Sequence, residues 1–213
     1  KNSEVAADTS SNAHHTWIGA DSGVYLARSM DSGTTWEQTS LRVSPPGVVS
    51  ATFPHIQAGD PGRVAITYLG SEDGALLNTS DIDGNPWDGN PHTAPAGVTY
   101  HLYVSLSLDA LAPAPTWTTV RLTTDPVQRG SICISSGDCR DIGGSNRNLL
   151  DFNDLSLDRD GRLYIAYTDG CTSDACIGPE GKPEDSRDRA GVAAILLEGP
   201  SLYEGEGQLT PLA

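Results

Sequence analysis

Apolar and polar residues alternate with a period of two along much of this chain, the pattern of strands with one buried face. Across 101–109, Leu102, Val104, Leu106 and Leu108 alternate with Tyr103, Ser105 and Ser107. Across 63–69, Val64, Ile66 and Tyr68 make one face, with Ala65 and Thr67 on the other. The pattern returns across 162–168, where Leu163, Ile165 and Tyr167 oppose Tyr164 and Ala166. Shorter strands are predicted at 23–29, 40–44, 118–123 and 191–197. No stretch of ten or more residues reads as an amphipathic helix.

Two of these segments repeat others. Asp60-Pro61-Gly62-Arg63-Val64-Ala65-Ile66-Thr67-Tyr68 aligns with Arg159-Asp160-Gly161-Arg162-Leu163-Tyr164-Ile165-Ala166-Tyr167, 99 residues on. Tyr25-Leu26-Ala27-Arg28-Ser29-Met30-Asp31 aligns with Tyr103-Val104-Ser105-Leu106-Ser107-Leu108-Asp109, 78 residues on. In the second pair a Ser-x-Asp ends the strand, a Trp follows (Trp36, Trp117) and another short strand comes next. Strand repeats with no helix between them predict a β-propeller or a related radial architecture. The expected organisation is all-β. Blades fill 1–199 with the first incomplete, and 200–213 forms a C-terminal tail or a ring-closing segment. A long loop rich in Asp, Gly, Asn and Pro runs over 70–98. At ~40–50 residues per blade, the chain holds about three to four blades, as part of a larger ring or as a compact four-blade one.

Composition narrows the class. Gly (23) and Pro (14) together rule out a helical bundle among these 213 residues. The formal charge of −15 repels phosphate backbones and anionic membranes, which argues against a nucleic-acid partner. The longest apolar run, Val192 to Leu197, is far short of the ~20 residues of a membrane span. The chain opens on the polar stretch Lys1-Asn2-Ser3-Glu4 with no signal peptide, as a mature or trimmed secreted protein would. Its four cysteines form two close pairs, Cys133 with Cys139 and Cys171 with Cys176, in loop-like surroundings. Neither is Cys-x-x-Cys and no His lies near, so zinc fits poorly. Of three pairings, the two local ones need the least chain closure. Disulfides imply an oxidising compartment, secreted or at the cell surface.

Ser29-Met30-Asp31-Ser32-Gly33-Thr34-Thr35-Trp36 resembles the Asp-box, Ser-x-Asp-x-Gly-x-Thr-Trp, of sialidase-like β-propellers (the bacterial neuraminidase repeat). A second copy at Ser107-Leu108-Asp109 lacks the Gly and carries a Pro/Ala insertion before Trp117. The motif has a physical logic: the Asp accepts from turn amides, Gly33 supplies a positive-φ position, and Trp36 covers the turn. The resemblance therefore implies structural roles for Ser29, Asp31, Gly33, Trp36, Ser107, Asp109 and Trp117, on the rim away from any catalytic face. It also implies an enzyme's groups: three arginines on a substrate carboxylate, a Tyr nucleophile assisted by a Glu, and an Asp acid/base. The counterpart of the family's Arg-Ile-Pro segment is Thr52-Phe53-Pro54-His55-Ile56, without the Arg. No catalytic residue is assigned on this basis.

Two polar clusters are candidate sites. In Asn146-Arg147-Asn148-Leu149-Leu150-Asp151-Phe152-Asn153-Asp154, residues Arg147, Asp151 and Asp154 read as ligand- or metal-binding groups, or as caps of turn amides. Arg121, Arg129 and Arg140 could reach the same face. In the loop from Asp81 to Asn90, Asp81, Asp83, Asn85 and Asp88 present oxygens suited to Ca²⁺, or make a loop of Asx turns. Trp87 within it is a sugar-stacking platform or packs beneath the loop. Asp158-Arg159-Asp160-Gly161 is a plain hairpin turn. His14 and His15, adjacent on a strand, must face opposite ways, and His55, His92 and His101 stand alone. No catalytic triad or phosphate loop is present, and no organic cofactor is implied. Two functions follow: an extracellular module binding a glycan, a protein or another fragment of the same propeller, or an exo-glycosidase whose remaining catalytic residues lie outside the chain.

Overall fold

The alternating segments pair with their chain neighbours into antiparallel sheets. A computed structural model describes residues 3–133, 149, 153–178, 181–182 and 189–209. Sheet 1 contains β1 (Ser3–Ala7), β2 (Ala13–Ile18), β3 (Val24–Ser29) and β4 (Leu41–Arg42) in that order. Sheet 2 contains β5 (Ser50–Ala58), β6 (Val64–Ser71), β7 (Thr99–Ser107) and β8 (Thr118–Arg121), with β9 (Gln128–Arg129) continuing the β8 edge along the start of β7. Sheet 3 contains β10 (Asp154–Leu157), β11 (Leu163–Asp169) and β12 (Ala190–Ile195). A small hairpin of β13 (Gly199–Pro200) and β14 (Gln208–Leu209) follows. Strands take up 41 % of the described residues, and among these no sheet closes into a barrel, so the fold is all-β. Among the described residues the one α-helix, α1 (Asp174–Ile177), is a single turn.

The sequence repeats mark equivalent places in the sheets. Segments 99 residues apart become β6 and β11, each the second strand of its sheet; segments 78 apart become β3 and β7, each the third. The first unit differs from its sequence-based description. It is a full four-stranded sheet rather than the end of one, because β1 and β2 precede β3. Those two strands escape the alternation rule because β2 turns His14 and Thr16 inward and leaves Trp17 and His15 on the other face. His14 and His15 thus point opposite ways.

Two apolar layers hold the sheets together. Ile18, Val24 and Leu26 of sheet 1 pack on Val64, Ile66 and Tyr68 of sheet 2. On its other side sheet 2 offers Ala65, Leu69 and Leu102 to Leu155, Leu163 and Ile165 of sheet 3. Each fully buried aliphatic side chain contributes ~1.5–3 kcal/mol relative to exposure.

The strand-connecting turns use one device repeatedly. Asp31 Oδ1 accepts from Thr35 N (2.7 Å), Oδ2 from Thr35 Oγ1 (2.6 Å), and Ser29 Oγ donates to Oδ1 (2.7 Å) while accepting from Gly33 N (2.9 Å). The hydroxyl and amide of Thr35, with the Ser29 hydroxyl, hold the Asp31 carboxyl at about 2. Gly33 sits at φ +84°, where other residues are strained. Asp109 repeats the pattern with Ser107 and Thr116. A third copy was invisible in the sequence: Ser71 Oγ donates to Asp73 Oδ2 (3.1 Å), and that oxygen accepts from Thr99 N (2.6 Å). There the whole loop from 74 to 98 is inserted between the Asp and its Thr.

At the opposite end from the groove described below, the first hairpin turns of all three sheets are tied together. Thr9 N donates to Gly59 O (2.9 Å) and Thr9 Oγ1 to Asp60 Oδ1 (2.8 Å). Segment 199–204 then bridges sheets 2 and 3. Leu202 O accepts from Asp60 N (2.8 Å), Leu202 N donates to Gly161 O (3.1 Å), and Glu204 N donates to Asp60 Oδ2 (2.7 Å). Leu202 itself is fully buried, so this part of the segment packs into the core.

Candidate functional site

The site begins with a defect in β5. Its pairing with β6 jumps from Thr52↔Leu69 to His55↔Thr67, a bulge over Phe53 and Pro54. Pro54 has no N–H to give the ladder, so a bulge is where it fits. Phe53 adopts φ +51° although it is bulky and buried. Such a conformation costs ~1–3 kcal/mol and persists only where packing imposes it; bulges of this kind re-aim side chains next to binding sites.

What the bulge aims is His55. Its Nδ1 lies 2.9 Å from Glu4 Oε1 on β1, and its Nε2 is buried with no hydrogen-bond partner. Asn153, just ahead of β10, is buried too, and its Nδ2 has no partner either. Both residues line a groove of about 580 Å³ where the starts of β1 and β10 meet the bulge, together with Glu4, Asp154, Tyr167 and Thr168. Ala166, Val192 and Ala193 supply its apolar wall. Asp154 is exposed, with Oδ1 accepting from Leu155 N (2.8 Å). Burial, then the charge of Asp169, raise the Tyr167 phenol above its ordinary value, so it faces the groove as a neutral donor. The arrangement can exchange hydrogen bonds with several hydroxyls at once.

The sequence-based candidates distribute unevenly around this groove. Asp154 lines it, while Arg147, Asp151 and Arg140 lie outside the described residues. Asn153 belonged to the same polar cluster, but the amide was not singled out. Glu4, His55 and Tyr167 were missed as site residues; the one signal for them was Phe-Pro interrupting a strand-like run. Arg129 is not a ligand group: it is buried, with its guanidinium on the carbonyls of Cys176, Ile177 and Gly178. Arg121 lies at the end of β8, exposed.

Other arginines are used the same way. Arg28 donates through Nη1 to Ala110 O and Ala112 O, both at 2.6 Å, and pairs with Glu37. Arg63 reaches Ser201 O (2.9 Å) and Arg162 reaches Leu196 O and Leu197 O (2.8 Å each). The Gly-Arg repeat is thus a repeat of backbone clips.

Trp87 is corrected. It is fully buried and its indole N–H donates to Asn90 O (2.8 Å), so it packs beneath the loop and offers no stacking surface. Asp81 Oδ1 accepts from Asp83 N (2.9 Å) and Asn85 N (2.8 Å), the Asx-turn use of that loop. Asp88 Oδ1 accepts from Asn90 N (3.0 Å). Among the described residues no group of three or more His, Cys, Asp or Glu side chains is arranged around a metal position. Asp158 accepts from Asp160 N and Arg162 N (2.9 Å each), the expected hairpin turn. Cys171 and Cys176 form a disulfide, and Cys133 is disulfide-bonded; Cys139 lies outside the described residues. Among those residues no helix is long and apolar enough to cross a membrane.

No family model matches the chain, and no curated protein does. Among solved structures it is similar to a crystal structure of a protein of unknown function from Dyadobacter fermentans DSM 18053, with a TM-score of 0.47 and 12 % identity. The match covers 91 % of this chain and 50 % of that one, so the chain spans half the length of that protein.

Proposed function

We propose that this chain is an extracellular β-propeller module of the Asp-box type that holds a neutral glycan in the groove between β1, β5 and β10, without cleaving it. The observation that carries the reading is that His55 and Asn153, which line one groove, each hold a buried nitrogen with no hydrogen-bond partner, Nε2 and Nδ2. A buried polar atom without a partner costs ~1–3 kcal/mol, and a small turn of either side chain toward a ligand hydroxyl would recover it. The carboxylates of Glu4 and Asp154, on a chain of charge −15, disfavour an acidic sugar. The propeller reading draws support from successive antiparallel sheets stacked face to face, with equivalent strands in equivalent places. The Cys171–Cys176 disulfide supports an oxidising compartment.

Calorimetric titration with a panel of neutral oligosaccharides tests this. At least one should bind, and Asn153→Ala or His55→Ala should weaken it by about tenfold, which is ~1.4 kcal/mol. Absence of binding across the panel, or variants that bind like the wild type, would overturn the reading.

A second reading, an exo-glycosidase completed by residues outside this chain, rests on two carboxylates and a phenol lining the same groove. Turnover of neutral aryl glycosides that disappears in Glu4→Gln and Asp154→Asn would favour it over simple binding.

A further inference from the structure

The three sheets stack in a single direction, and the repeats identify which face of each looks which way. In sheet 2, Val64, Ile66 and Tyr68 face sheet 1, while Ala65 and Leu69 face sheet 3. Their counterparts 99 residues on obey the same rule, with Leu163, Ile165 and Tyr167 turned to sheet 2. Tyr164 and Ala166, the counterparts of Ala65 and Thr67, are left on a face that no described sheet covers. Beside them Ile195 is 41 % exposed, with Gly191 and Ala193 along the same strand face.

Sheet 1 shows the converse. In sheet 2, Tyr103 stacks on its cross-strand partner Tyr68, with centroids 5.6 Å apart and planes at 4°, and both are buried under sheet 1. The counterpart of Tyr103 is Tyr25, which stacks on its own cross-strand partner Trp17 at 6.0 Å and 23°. His15 extends the row at 5.1 Å from Trp17, and Val5, opposite His15, is 61 % exposed. No described sheet covers this row.

We propose that these two bare faces pack on each other between two copies of the chain, sheet 3 of one against sheet 1 of the next. Each face holds the residues that, one sheet along, make a contact already present inside the chain. Their shapes also match: a row of large rings opposes a face of small residues around Ala166, Gly191 and Ala193. The contact is head-to-tail, and two copies closing on each other form a ring of six sheets through two identical interfaces. Ala166 and Ala193 also wall the groove, so the second copy would border it; the association is therefore measured with no glycan present, and its outcome is read apart from what the groove binds.

Sedimentation of the purified chain from about 1 µM to about 200 µM tests it. The expected species has twice the chain's mass, and its fraction rises with salt, because screening weakens the repulsion of two copies each carrying −15. Trp17→Arg and Ile195→Arg, on opposite faces, should each raise the dissociation constant by about 100-fold while leaving the far-UV circular dichroism unchanged. Should Trp17→Arg fail to fold, the exposed Ile195→Arg decides alone. A wild-type chain that stays at single mass throughout would overturn the proposal, and so would a dimer indifferent to Ile195→Arg.

Discussion

His14 Nε2 lies 3.4 Å from Asp8 Oδ2, with both side chains shut off from water. The carboxylate also accepts from Ser10 N and Asn12 N, which pins the first hairpin turn. His14 Nδ1 is buried without a partner, so the tautomer that fits is neutral with its proton on Nε2, donating to Asp8.

This pair sets an acid limit on stability. Burial pushes the His14 imidazole below 6.5 despite the pull of Asp8. Burial alone would raise Asp8, yet hydrogen bonds led by Asn12 hold its carboxyl below 3.8. Both folded values are depressed. The His14 contribution is therefore fully present above pH 6.5 and lost as pH falls through its lower folded value. That of Asp8 is present above 3.8 and lost below it. Buried His101, likewise lowered by burial, adds to the first window. The melting temperature should fall steadily once pH drops below about 6.5, and His14→Gln should flatten that slope. Calorimetric scans at stepped pH would show it; a wild-type profile flat down to pH 4 would refute the assignment.

Two glycines with similar backbone angles should respond differently to alanine. Gly161 and Gly84 have φ of +74° and +84°. A Cβ at Gly161 would run into the Ser201 hydroxyl and the Tyr203 amide, whereas one at Gly84 would meet nothing within 4 Å. Gly84→Ala should cost about 1 kcal/mol from backbone strain alone. Gly161→Ala should cost more than ~2 kcal/mol and loosen the joint between sheet 3 and segment 199–204. Urea midpoints of the two variants make the comparison.

Arg28 is 4 % exposed and holds two carbonyls of the next sheet. Arg28→Ala leaves those carbonyls and Glu37 without their donor, and should cost ~3–5 kcal/mol. Arg28→Lys should recover only part, because an ammonium lacks the planar fork. Equilibrium unfolding measures both. A variant with wild-type stability would show that the clip contributes nothing.

Sequence patterning found the strands whose buried positions are apolar and whose outer positions are polar, which is why β6, β7 and β11 were legible. It missed β2 because His14 and Thr16 face inward there, and β5 because Phe53 and Pro54 break the period at the bulge. Trp87 misled because its Asp and Asn neighbours resemble a surface loop, yet those side chains satisfy the loop's own amides and let the indole sink beneath it. The groove was the least legible part. Glu4, His55, Asn153 and Tyr167 come from four separate segments, and only Asn153 and Asp154 are neighbours in the chain.

The bridge from segment 199–204 to the turn of β5 and β6 bears on how the molecule is made. Glu204 and Asp60 are 144 residues apart, and Arg63 and Ser201 are 138 apart. Contacts of such separation are slow to find during folding. Sheets 1 and 2 pair strands that follow one another along the chain and can form while the chain is still being synthesised. Their junction with sheet 3 cannot lock until residue 204 has left the ribosome, which makes the final docking of the third sheet late relative to the formation of the first two.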